Sequence, residues 1–148
     1  MRILVFGSNG QVARELRRRG PEAGHDIIAF GRDACDLMQA GAAKAAIEKT
    51  KPDAVINASA YTAVDKAESE RDFAMRLNGA APGEMAEACA AFRIPFIHFS
   101  TDYVFDGAGS RSYREDDPVA PLGAYGETKL EGERRVAAGG GVFAIIRL

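Results

Sequence analysis

The stretch RILVFGSNGQVA, residues 2–13, joins an apolar run to a glycine-rich loop. Residues 2–6 are almost wholly apolar and stop at Gly7, which is typical of a strand buried on both faces of a parallel sheet. Residues 11–19 then carry apolar side chains at helical spacing, and we expect Gly20-Pro21 to end this helix. The stretch therefore predicts a buried strand, a tight turn and a helix.

The same alternation continues along the rest of the chain. Apolar runs predict four more strands, and stretches with helical periodicity predict helices between them. The strands are expected at 27–30, 54–57, 96–100 and 142–147, and the helices at 41–51, 71–93 and 125–138. Gly79, Pro82 and Gly83 should interrupt or kink the helix over 71–93. This order predicts a doubly wound α/β fold of Rossmann type, with a sheet of five parallel strands and helices on both faces.

The composition of the chain excludes several classes of function. The chain has 148 residues, of which 47% are hydrophobic and 27% charged, and its formal net charge is −2. We therefore expect one domain, 1–148, that binds neither nucleic acid nor an anionic membrane surface. No apolar run approaches the roughly 18 residues of a membrane span, and no signal peptide is evident, so a cytoplasmic location is expected. Cys35 and Cys89 lack the spacing of a zinc site or a disulfide framework, and no metal site is expected.

A G-x-x-G-x-x-A loop, formed by Gly7, Gly10 and Ala13, separates the first strand from the first helix. Gly7 permits the tight turn, and Gly10 lets the backbone approach a pyrophosphate. Ala13 is small enough for the helix to pack on the sheet. The spacing differs from G-x-G-x-x-G, and a plain strand-to-helix turn is the alternative. The position of the loop favours a dinucleotide site.

The end of the second strand decides which dinucleotide binds. It reads Phe30-Gly31-Arg32, with no acid at the tip to hold the ribose hydroxyls. Arg32 offers a bidentate contact to a 2′-phosphate, which favours NADPH, and the alternative is a solvated loop charge. Asp33 and Asp36 are close enough to reach a ribose or an adenine, so the use of NADH stays open.

A Y-x-x-x-K pair, Tyr125 and Lys129, lies at the start of the last predicted helix. Residues four apart share a helix face, so we expect the Lys129 ammonium to lower the Tyr125 pKa from about 10 toward neutrality. The preceding strand ends in Ser100-Thr101-Asp102, where the Thr101 hydroxyl can polarise a substrate carbonyl. With Tyr125 as proton donor and Lys129 holding it and the cofactor ribose, this set predicts a carbonyl reductase.

Three segments carry a resemblance to a known family: NASAYTAVDKAE at 57–68, STDYVFDG at 100–107 and YGETKL at 125–130. On these segments the chain resembles the extended short-chain dehydrogenase/reductases. The resemblance implies that NADPH reduces the 4-keto group of dTDP-4-dehydro-L-rhamnose to give dTDP-L-rhamnose, a precursor of bacterial surface polysaccharide. The partner implied is thus a dTDP-sugar.

The resemblance also assigns roles by position. The implied cofactor contacts are Gly10, Gln11 and Val12 at the pyrophosphate, Asp36 and Leu37 at the adenosine end, and Ala60, Tyr61 and Thr62 in the middle. Thr101 and Asp102 would contact the substrate, and Tyr125 and Lys129 would be the catalytic pair. Family members run well beyond 148 residues. We therefore expect the N-terminal part of a longer reductase, without its C-terminal substrate-binding part, with little turnover alone and with any homodimer formed through the missing parts.

Two other functions stay open. The first is a nucleotide-sugar epimerase or dehydratase of the same family, which would keep its cofactor bound throughout the cycle. Tyr103 argues against a dehydratase, in which a glutamate is expected at that position. The second is a non-catalytic regulatory subunit that binds NADP as a structural ligand, and the intact Thr101, Tyr125 and Lys129 argue against it.

Overall fold

The chain forms a five-stranded parallel sheet in a computed structural model, which describes residues 1–109 and 111–148. The strands are β1 (Arg2–Phe6), β2 (Asp26–Phe30), β3 (Ala54–Asn57), β4 (Phe96–Ser100) and β5 (Phe143–Arg147). They lie in the order β2-β1-β3-β4-β5, and every neighbouring pair is parallel. The predicted doubly wound α/β fold is confirmed, and each predicted strand is found within one residue of its expected bounds.

Helices cover both faces of this sheet. They are α1 (Gln11–Glu22), α2 (Ala42–Thr50), α3 (Val64–Ala67), α4 (Arg71–Ala74), α5 (Ala81–Phe92) and α6 (Ala124–Gly139). A π-helical segment, Met75–Ala80, joins α4 to α5, and a short 3₁₀ turn spans Asp102–Val104. None of the described helices has the length and apolarity that crossing a membrane requires.

The prediction that Gly20-Pro21 ends the first helix is wrong, because α1 continues to Glu22. A Cβ at Gly20 would lie 2.3 Å from the Ile27 side chain, so the glycine serves close packing of α1 on β2 rather than termination. Pro21 stands in the last turn, where it removes the one helical bond that its N–H would give to the Arg17 carbonyl. The chain turns at Gly24, whose φ is +76°.

The helix predicted over 71–93 is interrupted, as expected, but by a π-helical turn that begins before Gly79. Pro82 does not end the helix: it lies in the first turn of α5, and the backbone passes from the π-helical segment into α5 with helical dihedrals at Ala80 and Ala81. At Gly83 a Cβ would lie 2.8 Å from the Arg135 Cβ. The small residues of this region therefore let α5 approach α6.

The strands alternate their side chains between two cores. Leu4, Phe6 and Val55 pack with α2 and α5 on one face, and Val5 and Ile56 pack with Ala13 of α1 on the other. Each of these residues is almost completely buried. The alternation fixes the strands in the sheet, and so fixes where their carboxyl ends lie.

Both cysteines are buried. Cys35 and Cys89 lie in the core on the α2 and α5 side of the sheet as free thiols. Burial raises the pKa of Cys89 to about 12. It also raises the pKa of Cys35, so neither thiol is an activated nucleophile.

Candidate active site

A cleft opens at the carboxyl ends of β1 and β3. The strand order reverses at this point, because β2 lies beside β1 on one side, whereas β4 and β5 follow β3 on the other. Ligands of doubly wound sheets bind at such a point. A cavity of about 340 Å³ lies here. Its walls come from the loops after β1, β2 and β3 and include Gly7, Ser8, Gly10, Gly31, Arg32, Asp36, Leu37, Met38, Ala58, Ser59, Ala60 and Thr62.

The glycine loop forms the floor of this cleft. Gly7 has a φ of +110°, and a Cβ there would lie 2.9 Å from the Ala58 carbonyl oxygen, so only glycine fits. Gly10 precedes α1 and has no side chain to cap the helix, which leaves amides of the first turn, at Gln11 and Val12, free for a ligand. Such a helix start is a ready anion site.

The loop after β2 places Arg32 at the mouth of the cleft. Its side chain is exposed, and its Nε lies 3.8 Å from Asp36 Oδ1. Asp36 is anchored, since the same oxygen accepts a bond of 3.1 Å from the Met38 amide. Leu37 is buried to 8% exposure and ties the loop to the core. Arg32 is thus the more exposed partner of this pair, and Asp36 is the one held by the backbone.

The segment after β3 is held from behind by a buried asparagine. Asn78 Oδ1 accepts from the Tyr61 amide at 2.8 Å, and Asn78 Nδ2 donates to the Tyr61 carbonyl at 3.0 Å. The same Nδ2 lies 3.2 Å from Thr128 Oγ1 on α6. Ala60 and Thr62 face the cavity on either side of this anchor. Sequence reasoning missed Asn78, although an amide in a small, apolar helical stretch was a signal.

Thr101, Tyr125 and Lys129 come together at the end of β4. Tyr125 and Lys129 lie one turn apart on α6. Thr101, just after β4, is near enough for its hydroxyl to oppose the rise in the pKa of Tyr125, and that hydroxyl donates to Asp102 Oδ1 at 3.2 Å. Lys129 is 2% exposed, and its Nζ donates to the Phe99 carbonyl at 2.6 Å. The predicted phenol, ammonium and hydroxyl are therefore one cluster.

The prediction that Lys129 lowers the Tyr125 pKa is wrong in this structure. Burial raises the pKa of Tyr125, and the Thr101 hydroxyl only partly opposes that rise. The Lys129 ammonium is directed at Phe99, and burial lowers its own pKa to about 8. Tyr125 is consequently a protonated phenol at neutral pH, which is the form that can donate a proton.

A carboxylate from far away in sequence caps the helix that carries this cluster. Glu68 Oε1 accepts from the Ala124 amide at 2.8 Å, across 56 residues. A Cβ at Gly123 would lie 2.9 Å from the same oxygen. In the first turn, Glu127 also pairs with Arg71 of α4. These contacts join the segment that borders the cleft to the start of α6, and nothing local in the sequence predicts them.

Tyr125 also borders a second cavity, of about 420 Å³. Asp102, Tyr103 and Glu68 share its lining, and the Tyr103 and Tyr125 rings meet edge to face at 5.5 Å. Tyr125 thus borders a cavity that is separate from the cleft at the glycine loop. Asp102, predicted as a substrate contact, belongs to this second space.

His98 packs inside the sheet and not at its ligand-facing edge. It is fully buried on β4, and its Nδ1 lies 3.1 Å from Asn57 Nδ2. Asn57 Oδ1 in turn accepts from the Ser59 amide and hydroxyl. Burial, helped by Lys129, lowers the pKa of His98 to about 3, so the ring is neutral and accepts from Asn57. This buried chain fixes Ser59 at the cleft wall.

The geometry agrees with comparisons to known proteins. The family model of the RmlD substrate binding domain matches residues 1–148. The chain belongs to this family. A dTDP-4-dehydrorhamnose reductase from Burkholderia thailandensis is 46% identical over 147 residues, which are 99% of this chain and 49% of that protein.

Two further RmlD-like proteins bear on the site. A crystal structure of dTDP-4-dehydrorhamnose reductase from Bacillus anthracis in complex with NADP matches with a TM-score of 0.94 and 31% identity, over 99% of this chain and 52% of that one. A probable dTDP-4,6-dihydroxy-2-methyloxan-3-one 4-ketoreductase from Streptomyces antibioticus is 44% identical over 137 residues, 92% of this chain and 46% of that protein. The chain spans about half the length of these relatives.

Proposed function

We propose that this chain is the cofactor-binding part of an NADPH-dependent reductase, which converts dTDP-4-dehydro-L-rhamnose to dTDP-L-rhamnose. The observation that carries the proposal is the cluster of Thr101, Tyr125 and Lys129 at the carboxyl edge of the sheet. The reductases among its relatives support the same substrate class.

The cleft fits a dinucleotide. Gly7 keeps its floor open, and the free amides at Gln11 and Val12 would take the pyrophosphate. Arg32, Asp36 and Leu37 lie where the adenosine end would rest. Ala60, Tyr61 and Thr62 would contact the middle of the cofactor, and Lys129 its nicotinamide ribose. When bound, NADPH supplies a hydride.

The side chains complete the reaction. The carbonyl carbon gains the hydride, the C=O π bond breaks, and the oxygen carries the new electron pair. The Tyr125 phenol donates the proton that this oxygen needs, while the Thr101 hydroxyl donates a hydrogen bond to it. Lys129, whose Nζ donates to the Phe99 carbonyl, would keep its role at the cofactor ribose. Asp102, in the lining of the second cavity, would contact the sugar.

The test is NADPH consumption by this chain and by any longer protein that contains it. The substrate is dTDP-4-dehydro-6-deoxyglucose, supplied with the epimerase that converts it to dTDP-4-dehydro-L-rhamnose in place. We expect turnover from the longer protein and little from residues 1–148 alone. Binding of NADPH without any turnover would favour the regulatory function, and turnover with another 4-keto sugar only would follow the Streptomyces relative.

Replacing Arg32 with alanine should weaken NADPH binding about tenfold or more, because a charge-assisted bond to the 2′-phosphate is lost. NADH has no such phosphate, so its affinity should change little. Loss of the exposed pair with Asp36 matters little to stability. Dissociation constants for both cofactors give the answer, with Arg17→Ala on the exposed face of α1 as control. Equal losses for NADPH and NADH would rule out the Arg32 assignment.

A further inference from the structure

A bidentate ion pair lies behind the cleft, between the π-helical segment and α5. Arg76 Nη1 lies 2.6 Å from Glu84 Oε1, and Arg76 Nη2 lies 3.0 Å from Glu84 Oε2. The two side chains are 17% and 29% exposed. Two parallel charge-assisted bonds at these distances hold both groups in one orientation.

The pair forms hydrogen bonds with two residues of the loop after β2, Met38 and Gly41. Arg76 Nε donates to the Met38 carbonyl at 3.3 Å, and Glu84 Oε2 accepts from the Gly41 amide at 3.3 Å. Gly41, with a φ of +79°, is the residue before α2, so Glu84 satisfies an amide at the start of that helix. Burial would raise the pKa of Glu84, but the bonds from Arg76 and Gly41 lower it, and the pair stays charged.

This loop is a wall of the cleft. Asp36, Leu37 and Met38 line it, whereas Arg76 and Glu84 stand outside the lining. From the cleft side, Asp36 holds the Met38 amide. Met38 is thus bound through its amide by Asp36 and through its carbonyl by Arg76. The position of the wall therefore depends on a pair that no ligand in the cleft would touch.

We propose that Arg76 and Glu84 are positioning residues for the adenosine half of the cofactor, acting through the loop of residues 36–41. The inference rests on the proposed binding of NADPH. The bonds from this pair to the cleft wall are to the loop after β2. Their loss should therefore weaken ligands at the adenosine end of the cleft and spare ligands at the Tyr125 end. A pair that only joined the π-helical segment to α5 would show no such asymmetry.

The test measures two half-cofactors on this chain by calorimetry or NMR titration. The first, 2′,5′-ADP, carries the adenosine end with its 2′-phosphate, and the second is reduced nicotinamide mononucleotide. Arg76→Met should weaken binding of 2′,5′-ADP about tenfold, because the Met38 carbonyl loses its bond from Arg76 and the cleft wall at Asp36 is no longer held in place. Binding of the mononucleotide should stay within about twofold. Glu84→Gln keeps an acceptor for the Gly41 amide. Combined with Arg76→Met, it should restore part of the affinity for 2′,5′-ADP that Arg76→Met alone loses.

The matched control is Arg111→Met, because Arg111 forms a similar bidentate pair with Asp117, at 2.8 and 2.7 Å, far along the chain from the loop. It should change neither affinity. If Arg76→Met does not fold, Arg76→Lys keeps the charge and loses the bidentate geometry. Equal weakening of both half-cofactors, or none, would overturn the positioning role. Failure of the unmodified chain to bind 2′,5′-ADP would instead overturn the proposed function.

Discussion

Replacing Tyr125 with phenylalanine is expected to lower reduction of the keto sugar about a thousandfold, because the developing alkoxide loses its proton donor. Binding of NADPH should stay within a few-fold. The phenol borders the second cavity and not the glycine-loop cleft, and the ring packing against Tyr103 needs no hydroxyl. The variant therefore separates chemistry from cofactor binding.

The measurement is NADPH oxidation under saturating substrate by the longer protein that contains this chain, with cofactor affinity determined in parallel. Thr50→Val is the control, since it removes a hydroxyl bonded to the Ala46 carbonyl at 2.6 Å on α2, outside the lining of both cavities. It should keep most of the rate. A Tyr125→Phe protein that oxidised NADPH at the original rate would remove Tyr125 as the proton donor.

The fold was predictable because buried parallel strands leave a strong local signal. Each strand is a short apolar run that stops at a glycine or a polar residue, as at Phe6 before Gly7. Helix ends were less predictable. Gly20 and Pro21 are typical terminators, yet contact with Ile27 keeps Gly20 inside α1. Tertiary packing overrides a local preference of about 1 kcal/mol per residue.

The candidate site was predictable wherever topology alone assembles it. Parallel strands end at one edge of the sheet, so Gly7 after β1 and Thr101 after β4 had to share that edge. The pair of Tyr125 and Lys129 follows from helical spacing. The roles of Leu37, Ala60 and Thr62 came from resemblance, since nothing in their side chains points to a cofactor.

What joins these parts could not be predicted. The bonds from Glu68 to Ala124 and from Arg76 to Met38 link residues far apart in sequence, and they leave no local pattern. The prediction of a lowered pKa for Tyr125 was wrong for a related reason. The helical spacing predicted an ammonium next to the Tyr125 phenol. In the structure, burial raises the pKa of Tyr125, and the Lys129 ammonium donates to the Phe99 carbonyl instead.

A buried ion pair between α6 and the end of β5 is the basis of the second large effect. Glu133 is 6% exposed, and its carboxylate accepts from Arg147 at 2.9 and 2.7 Å and from the Ser100 hydroxyl at 2.5 Å. The Arg147 guanidinium lies 5.0 Å above the Phe105 ring. The network thus joins the ends of β4 and β5 to α6, beside Thr101 and one turn beyond Lys129.

Glu133→Met should lower the free energy of unfolding by about 3 kcal/mol, because a mostly buried guanidinium loses its counter-charge. Glu133→Met combined with Arg147→Met should recover most of that loss, since no unpaired charge is left behind. Urea unfolding of the chain measures both. The control is Glu131→Met, which removes an exposed pair with Arg135 and should cost about 0.5 kcal/mol or less. If the double variant lost as much stability as Glu133→Met alone, the effect assigned to an unpaired Arg147 charge would be wrong.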